Sequence, residues 1–236
     1  LAADIDRARL AAETERLRSA LLTSISHDLR TPLASILGSA TSLRSYRRTL
    51  DDAAQEELLV TIQDEAERLN RFIANLLDMT RLESGAIVPR TEPVDITDVV
   101  GSALRRAGKV LADHKVEIDL EPNLPTVRLD PVLFEQVLFN LFDNAAKHTP
   151  PRTVVCLKAR REGEVVLLSL TDEGMGIPDE DLERIFDKFY RVYATDRKRA
   201  GTGLGLAICR GFIEAMGGSI TAGNRRDRRG AVFTIF

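Results

Sequence analysis

A helical module followed by a mixed α/β domain is the architecture implied by this chain of 236 residues, and three observations carry that reading. Backbone-breaking residues are scarce at the start: residues 1–88 hold only Gly38, Gly85 and Pro32, out of 15 Gly and 9 Pro. Glycine and proline weaken helix interiors, so their scarcity favours long helices and their return favours turns. Apolar residues of the first part recur every seven positions, whereas the second part adds short alternating runs. Ten of the 12 aromatic residues also fall in the second part, where a larger core can use them. The boundary is expected near Gly85–Pro89, giving domains over residues 1–88 and 89–236.

Composition narrows the class. The chain has 33 Lys+Arg against 36 Asp+Glu, a net charge of −3, with 44% hydrophobic residues, a globular balance. That balance argues against nucleic-acid binding through overall basicity. The longest uncharged run, residues 31–43, falls well short of the roughly 20 apolar residues that span a bilayer. Cys156 and Cys209 form no closely spaced pair, which excludes a disulfide scaffold or a cysteine zinc site. His114, in a polar turn, and both cysteines are read as packing or solvent residues. The chain starts at Leu1 rather than Met, so it is expected to be a fragment whose upstream segments are missing.

The first helix is read from Leu22, Leu29, Ile36 and Leu43, with Ile25, Leu33 and Ala40 on the same coiled-coil-like face. A break follows over residues 46–52, where Asp51 or Asp52 is a candidate N-cap. Leu59, Ile62, Ala66, Leu69, Ile73 and Leu76 then step by three and four, predicting a second helix that ends near Ser84–Gly85. A short connection makes the pair an antiparallel hairpin. A lone hairpin leaves apolar surface wet, so a homodimer forming a four-helix bundle is expected.

On the first helix His27 falls at an outward position, with Asp28 beside it and Thr31 one turn later on the same strip. Pro32 removes a backbone donor and favours a kink just beyond. A lone exposed histidine is an ordinary feature of a solvated helix face. The string Ser26-His27-Asp28-Leu29-Arg30-Thr31-Pro32-Leu33, however, resembles over all eight positions the H-box of sensor histidine kinases of two-component systems. The resemblance implies that His27 is a phosphoacceptor, exposed to two large partners in turn. An unperturbed imidazole pKa of roughly 6.5 leaves it mostly neutral and able to attack. Asp28 would hold the ring's tautomer and accept a proton. Thr31 would position water for dephosphorylating a response regulator.

In the second domain, Asp130-Pro131 reads as an N-cap followed by proline at the first helical position. The helix runs to about His148, with Leu133, Val137, Leu138, Leu141 and Ala145 on its apolar side. Gln136, Asn140, Asn144 and Lys147 form a polar stripe, and paired asparagines in a helix call for a reason. Amide oxygens and an ammonium suit magnesium and phosphate oxygens. Residues 140–149 resemble the kinases' N-box, which implies Mg²⁺ at Asn144 and Asn140 and phosphate contacts from Lys147. His148 stands where tyrosine is commoner.

Residues 153–159 and 165–171 alternate as adjacent strands, with a turn at 160–164. Asp172, Gly174 and Gly176 follow in the spacing of the G1 box, whose Asp accepts from the adenine amino group while glycines admit the ring. Residues 185–191 resemble the F-box, with Arg191 near the phosphates. Residues 192–200, rich in Lys and Arg, read as a mobile lid. Gly201, Thr202, Gly203, Leu204 and Gly205 match the G2 box and open a helix to about Met216, whose free N–H groups attract phosphate. No strand precedes these glycines, so they are not a dinucleotide fingerprint.

Together the boxes imply the ATP-binding α/β sandwich shared with type II topoisomerases, Hsp90 and mismatch-repair ATPases. The implied reaction moves the γ-phosphoryl of Mg-ATP to His27 and then to an aspartate of a separate response-regulator receiver domain. No direct nucleic-acid contact is expected. The chain would be the cytoplasmic end of a membrane receptor, attached only through missing upstream segments. Residues 15–21 also resemble the potassium-responsive sensor kinases. A silent ATP-binding scaffold and a conformational ATPase remain as alternatives. The latter class needs a glutamate base where this chain has Asn140.

Overall fold

The computed structural model describes residues 25, 26, 28–46, 48–192 and 202–236. The chain divides into two compact units, Leu1–Ala74 and Asn75–Phe236. The division falls inside the second helix.

In the first unit, α1 is helical over residues 28–46. A tight turn follows, in which Tyr46 O accepts from Thr49 N at 2.9 Å and Leu50 N at 3.0 Å. Helix α2 spans Asp52–Glu83. Asp51 caps it, its Oδ1 accepting from Ala54 N at 2.8 Å. The helix ends as expected: Gly85 adopts φ +65, and Ala86 N donates to Arg81 O at 2.9 Å.

The burial pattern departs from the expected stripes. Pro32 and Ser39 are buried on α1 with Ile36 and Leu43 half-buried, whereas Leu33 and Ala40 are exposed. On α2, Phe72 and Met79 are buried and Ile62, Leu69 and Leu76 half-buried, while Leu59, Ala66 and Ile73 face outward. The buried line is rotated by one residue from the predicted one. An α-helix has 3.6 residues per turn, so two adjacent apolar lines can coexist on it. Among the described residues only one of them is covered, and Leu33, Leu37, Leu59 and Ile73 are among the large apolar residues left exposed.

The second unit is a two-layer sandwich. Its five-stranded sheet has the order β2-β4-β5-β7-β6: β2 (Lys115–Leu120), β4 (Val154–Glu162), β5 (Val165–Thr171), β6 (Ile220–Asn224) and β7 (Ala231–Ile235). β2 runs parallel to β4, and the other neighbours are antiparallel. A two-stranded ribbon pairs β1 (Glu92–Val94) with β3 (Val127–Leu129). The β4–β5 hairpin is tighter than expected. Pairing continues to Glu162↔Val165, and Gly163 at φ +64 opens the two-residue loop.

Three helices line one face: α3 (Ile96–Ala107), α4 (Pro131–His148) and α5 (Gly205–Ala215). Asp95 caps α3 through Thr97 N. Asp130 caps α4, accepting from Val132 N and Leu133 N, with Pro131 in the first turn. The period of two along the strands sends Val155, Leu157, Leu168, Leu170 and Phe233 inward. There they meet Leu138, Leu141 and Phe142 of α4 and Ile208 and Phe212 of α5, all buried. Among the described residues no helix is long and apolar enough to cross a membrane.

Both cysteines are free thiols. Cys209 is fully buried on α5, and burial pushes its thiol up to about 12. Cys156 is half-buried on β4. Iodoacetamide at pH 8 is therefore expected to alkylate Cys156 in the native protein and Cys209 only after urea unfolding. Peptide mass mapping checks this, and equal native labelling of both would contradict the packing.

Candidate functional site

Asp172 follows directly on β5 and is 3% exposed. A buried carboxylate needs donors. Its Oδ1 accepts from Gly174 N at 2.8 Å and Ala231 N at 3.0 Å, while its own N–H donates to Ala231 O at 3.0 Å. Oδ2 takes part in none of these bonds, so one carboxylate oxygen is anchored and the other is left to accept from a ligand amine.

The glycines around it are set by close approach. A Cβ on Gly174 would lie 2.7 Å from His148 O, which brings the turn against the C-terminal end of α4. Gly176 adopts φ +81, and a Cβ there would meet Asn224 Oδ1 at 2.7 Å.

On α4 the expected polar stripe is only partly open. Gln136 accepts from Arg106 Nη2 at 2.7 Å, and Lys147 pairs with Asp143 at 2.5 Å. Asn140 is buried, 9% exposed, and its Nδ2 donates to Gly205 O at 3.5 Å, joining α4 to the start of α5. Asn144 is half-buried one turn on, and His148 is exposed. The site holds no cage of acidic or histidine ligands: among the described residues no group of three or more His, Cys, Asp or Glu could hold a metal ion. Amide oxygens on one helix fit instead a magnesium ion that takes most of its ligands from phosphates and water.

The G2 residues sit at the start of α5. Thr202 Oγ1 accepts from Leu204 N at 3.3 Å, Leu204 is fully buried, and no side chain caps the helix. Gly203 at φ +67 lies against Phe189, itself at φ +62, and Phe189 N donates to Gly203 O at 2.9 Å. The F-box aromatics serve packing as expected: Phe186 meets Phe233 edge-on at 6.5 Å. Tyr190 donates to Asp181, which holds its phenol above the usual range. Arg191 is exposed.

In the first unit, Asp28 is half-buried and Thr31 is exposed on α1. His27 and Gly201 lie outside the described residues, as does the expected lid apart from Val192.

Sequence reasoning missed a second ring of groups. Glu173 Oε2 accepts from Val154 N at 3.0 Å and its Oε1 from Arg228 Nη1 at 2.7 Å. Arg225 reaches Asp172 O at 3.4 Å, and Asn224 bonds Ile177. All but Glu173 come from the β6–β7 hairpin, some 50 residues downstream, where only Gly230 in a charged run hinted at a special turn. His114, read as a packing or solvent residue, meets Thr149 Oγ1 through Nε2 at 2.9 Å, a tie at the end of α4.

Comparison with known proteins gives two family matches. Residues 17–85 match the His Kinase A (phospho-acceptor) domain. Residues 129–236 match the histidine kinase-, DNA gyrase B- and HSP90-like ATPase family. The sensor protein KdpD of Clostridium acetobutylicum is 37% identical over 234 residues, 99% of this chain and 26% of that protein. The chain thus spans about a quarter of the length of such curated relatives. Among solved structures, the Acinetobacter baumannii histidine kinase AdeS superposes with a TM-score of 0.67 at 27% identity, over 89% of this chain and 95% of that one. Full-length ShkA in complex with AMPPNP gives 0.65 at 28% identity, over 92% and 45%.

Gly203→Ala is expected to destabilise the fold by at least about 1 kcal/mol, since it adds a side chain at positive φ. Its Cβ would also sit 2.7 Å from the Phe189 backbone. Urea unfolding followed by circular dichroism measures this, and Gly205→Ala, where a Cβ meets nothing within 4 Å, is the neutral comparison.

Proposed function

The chain belongs to the histidine kinases, and we propose that it is the catalytic core of a two-component sensor kinase that phosphorylates itself on His27 from Mg-ATP. The observation that carries this is the pairing, in one chain, of the complete H-box string 26–33 with an ATPase fold whose Asp172 carboxylate is pinned by backbone donors. Residues 1–88 act as the dimerisation and phosphotransfer part, and residues 89–236 as the ATP-binding part.

Asp172 accepts the adenine amino group through its second oxygen, and Gly174 and Gly176 leave room for the ring. Backbone N–H groups at the start of α5, where Gly203 and Gly205 stand, face the phosphates. Lys147 and Arg191 supply positive charge there, and His148 flanks the nucleotide. Asn144 and Asn140 would hold Mg²⁺, which when bound offsets charge moving onto the leaving ADP. In the transfer, the bond from the γ-phosphorus to the β–γ bridging oxygen breaks as a bond to an imidazole nitrogen of His27 forms. The ring's displaced proton passes to Asp28, and ADP leaves. The phosphoryl group then moves to an aspartate of a response-regulator receiver domain. Thr31 orients water when the regulator is dephosphorylated.

The uncovered apolar set Leu33, Leu37, Leu59 and Ile73 supports a second copy as the hairpin's partner, completing a four-helix bundle. The AMPPNP complex of ShkA supports ATP as the nucleotide. The KdpD relatives support a parent protein that is a membrane sensor of the potassium-responsive kind, with this part in the cytoplasm.

Incubation with γ-labelled ATP and Mg²⁺ should give an acid-labile, base-stable phosphoprotein that His27→Gln abolishes. Label persisting in that variant would overturn the assignment of His27, and nucleotide binding with no label in either protein would indicate a silent scaffold. Asn144→Ala is expected to lower the labelling rate at least about a hundredfold while circular dichroism stays unchanged, as for loss of a group that helps offset charge in the transfer by holding Mg²⁺.

A further inference from the structure

The turn that presents Asp172 is not held by Asp172 alone. Beyond Gly174 the chain runs through residues 175–178 without helix or strand, and Gly176 takes a left-handed φ of +81. Across from it, at the last position of β6, the Asn224 side chain makes two hydrogen bonds to a single residue. Its Oδ1 accepts from Ile177 N at 2.8 Å, and its Nδ2 donates to Ile177 O at 2.6 Å. A primary amide paired with both the N–H and C=O of one residue imitates a strand neighbour. It extends the edge of β6 by one rung without requiring Ile177 to be in a strand. The same Nδ2 lies 3.4 Å from Asp179 Oδ1, at the start of the following 3-10 turn.

The contact is specific in its geometry. Gly176 has no side chain, so Asn224 Oδ1 sits where a Cβ would be only 2.7 Å away. Next in sequence, Arg225 closes the β6–β7 hairpin, its N–H donating to Gly230 O at 2.9 Å. Gly230 at φ +141 lies so close to Asp172 that no Cβ fits between them. Ala231 then supplies one of the two donors to Asp172 Oδ1. The hairpin therefore grips both ends of the segment 172–177: Ala231 holds its first residue and Asn224 its last.

We infer that Asn224 is a positioning residue for nucleotide recognition, holding the 174–178 turn so that Gly174 and Gly176 present a preformed edge to the adenine ring. This rests on the reading of Asp172 as the adenine acceptor. Asn224 bonds Ile177 and Asp179 and, among the described residues, none of those read as holding the phosphates or Mg²⁺, so its loss should loosen the base subsite and leave the transfer step intact. Asn224 is exposed at a strand end, so its truncation removes these bonds without opening a cavity in the core.

The test uses the whole chain with Mg-ADP by titration calorimetry and with γ-labelled ATP for rates. Asn224→Ala is expected to weaken ADP binding and raise the KM for ATP about tenfold, with kcat at saturating ATP within about twofold of the parent. Asn224→Asp retains the acceptor for Ile177 N–H but sets a carboxylate oxygen against Ile177 O and Asp179 Oδ1, and should weaken ADP binding at least as much as the alanine variant. A melting midpoint within about 3 °C of the parent separates this from a general loss of fold. Unchanged ADP affinity in Asn224→Ala, a fall in kcat at constant KM, or an affinity loss matched by a large drop in melting midpoint would each overturn the inference. If the parent itself binds no ADP, the reading of Asp172 fails and the inference falls with it. Tight binding by parent and variant alike rejects the role of Asn224 alone.

Discussion

A carboxylate that is buried must be satisfied, and the second unit is organised around meeting that demand at Asp172. Its Oδ1 needs two N–H donors, and they come from places far apart in the chain: Gly174, just beyond it, and Ala231, at the start of β7. Bringing Ala231 there requires β7 to pair with β5, where Thr171↔Val232 is the last rung. It also requires Gly230 to pass where no side chain fits. The local turn, the sheet order and the hairpin thus follow from one acceptor. An unmet buried charge would cost several kcal/mol, so sheet pairing and the anchoring of this carboxylate stand or fall together.

The helical half shows how far periodicity reaches. Capping signals are local, so Asp51, Asp130 and Gly85 could be read directly and appear where expected. Which apolar line is buried is not local. Leu59 and Ile73 have the same chemistry as Ile62 and Leu69, and only the neighbour against each line decides exposure. A seven-residue repeat identifies a seam without saying whether it meets the same chain or another copy. The rotation to Phe72 and Met79 was hidden for that reason.

The candidate nucleotide site was legible wherever unusual residues stand together in the sequence. Asparagines within a helix and closely spaced glycines have few structural excuses, so Asn140, Asp172, Gly174, Gly176 and Gly203 stood out. The supporting ring did not. Asn224, Arg225 and Glu173 are ordinary polar residues at a strand end, in a charged hairpin and after a strand. Their partners, Ile177 N, Asp172 O and Val154 N, are backbone atoms whose identity carries no sequence signal. Asn140 was read as an open polar position, yet its amide also bridges to Gly205. One residue there serves helix packing as well as the site.

The pairing of Phe189 with Gly203 carries a different implication. Two residues of left-handed conformation, joined by a 2.9 Å hydrogen bond, fasten together the two ends of the intervening stretch. Whatever the chain does between them, its exits from the F-box and into α5 stay in register with the rest of the fold. Lengthening a connection whose ends are already fastened adds only about 0.6 kcal/mol per doubling. Evolution could therefore lengthen, shorten or rewrite that stretch while the sheet and α5 keep their places. Related chains should differ there in length more freely than anywhere else in the second unit.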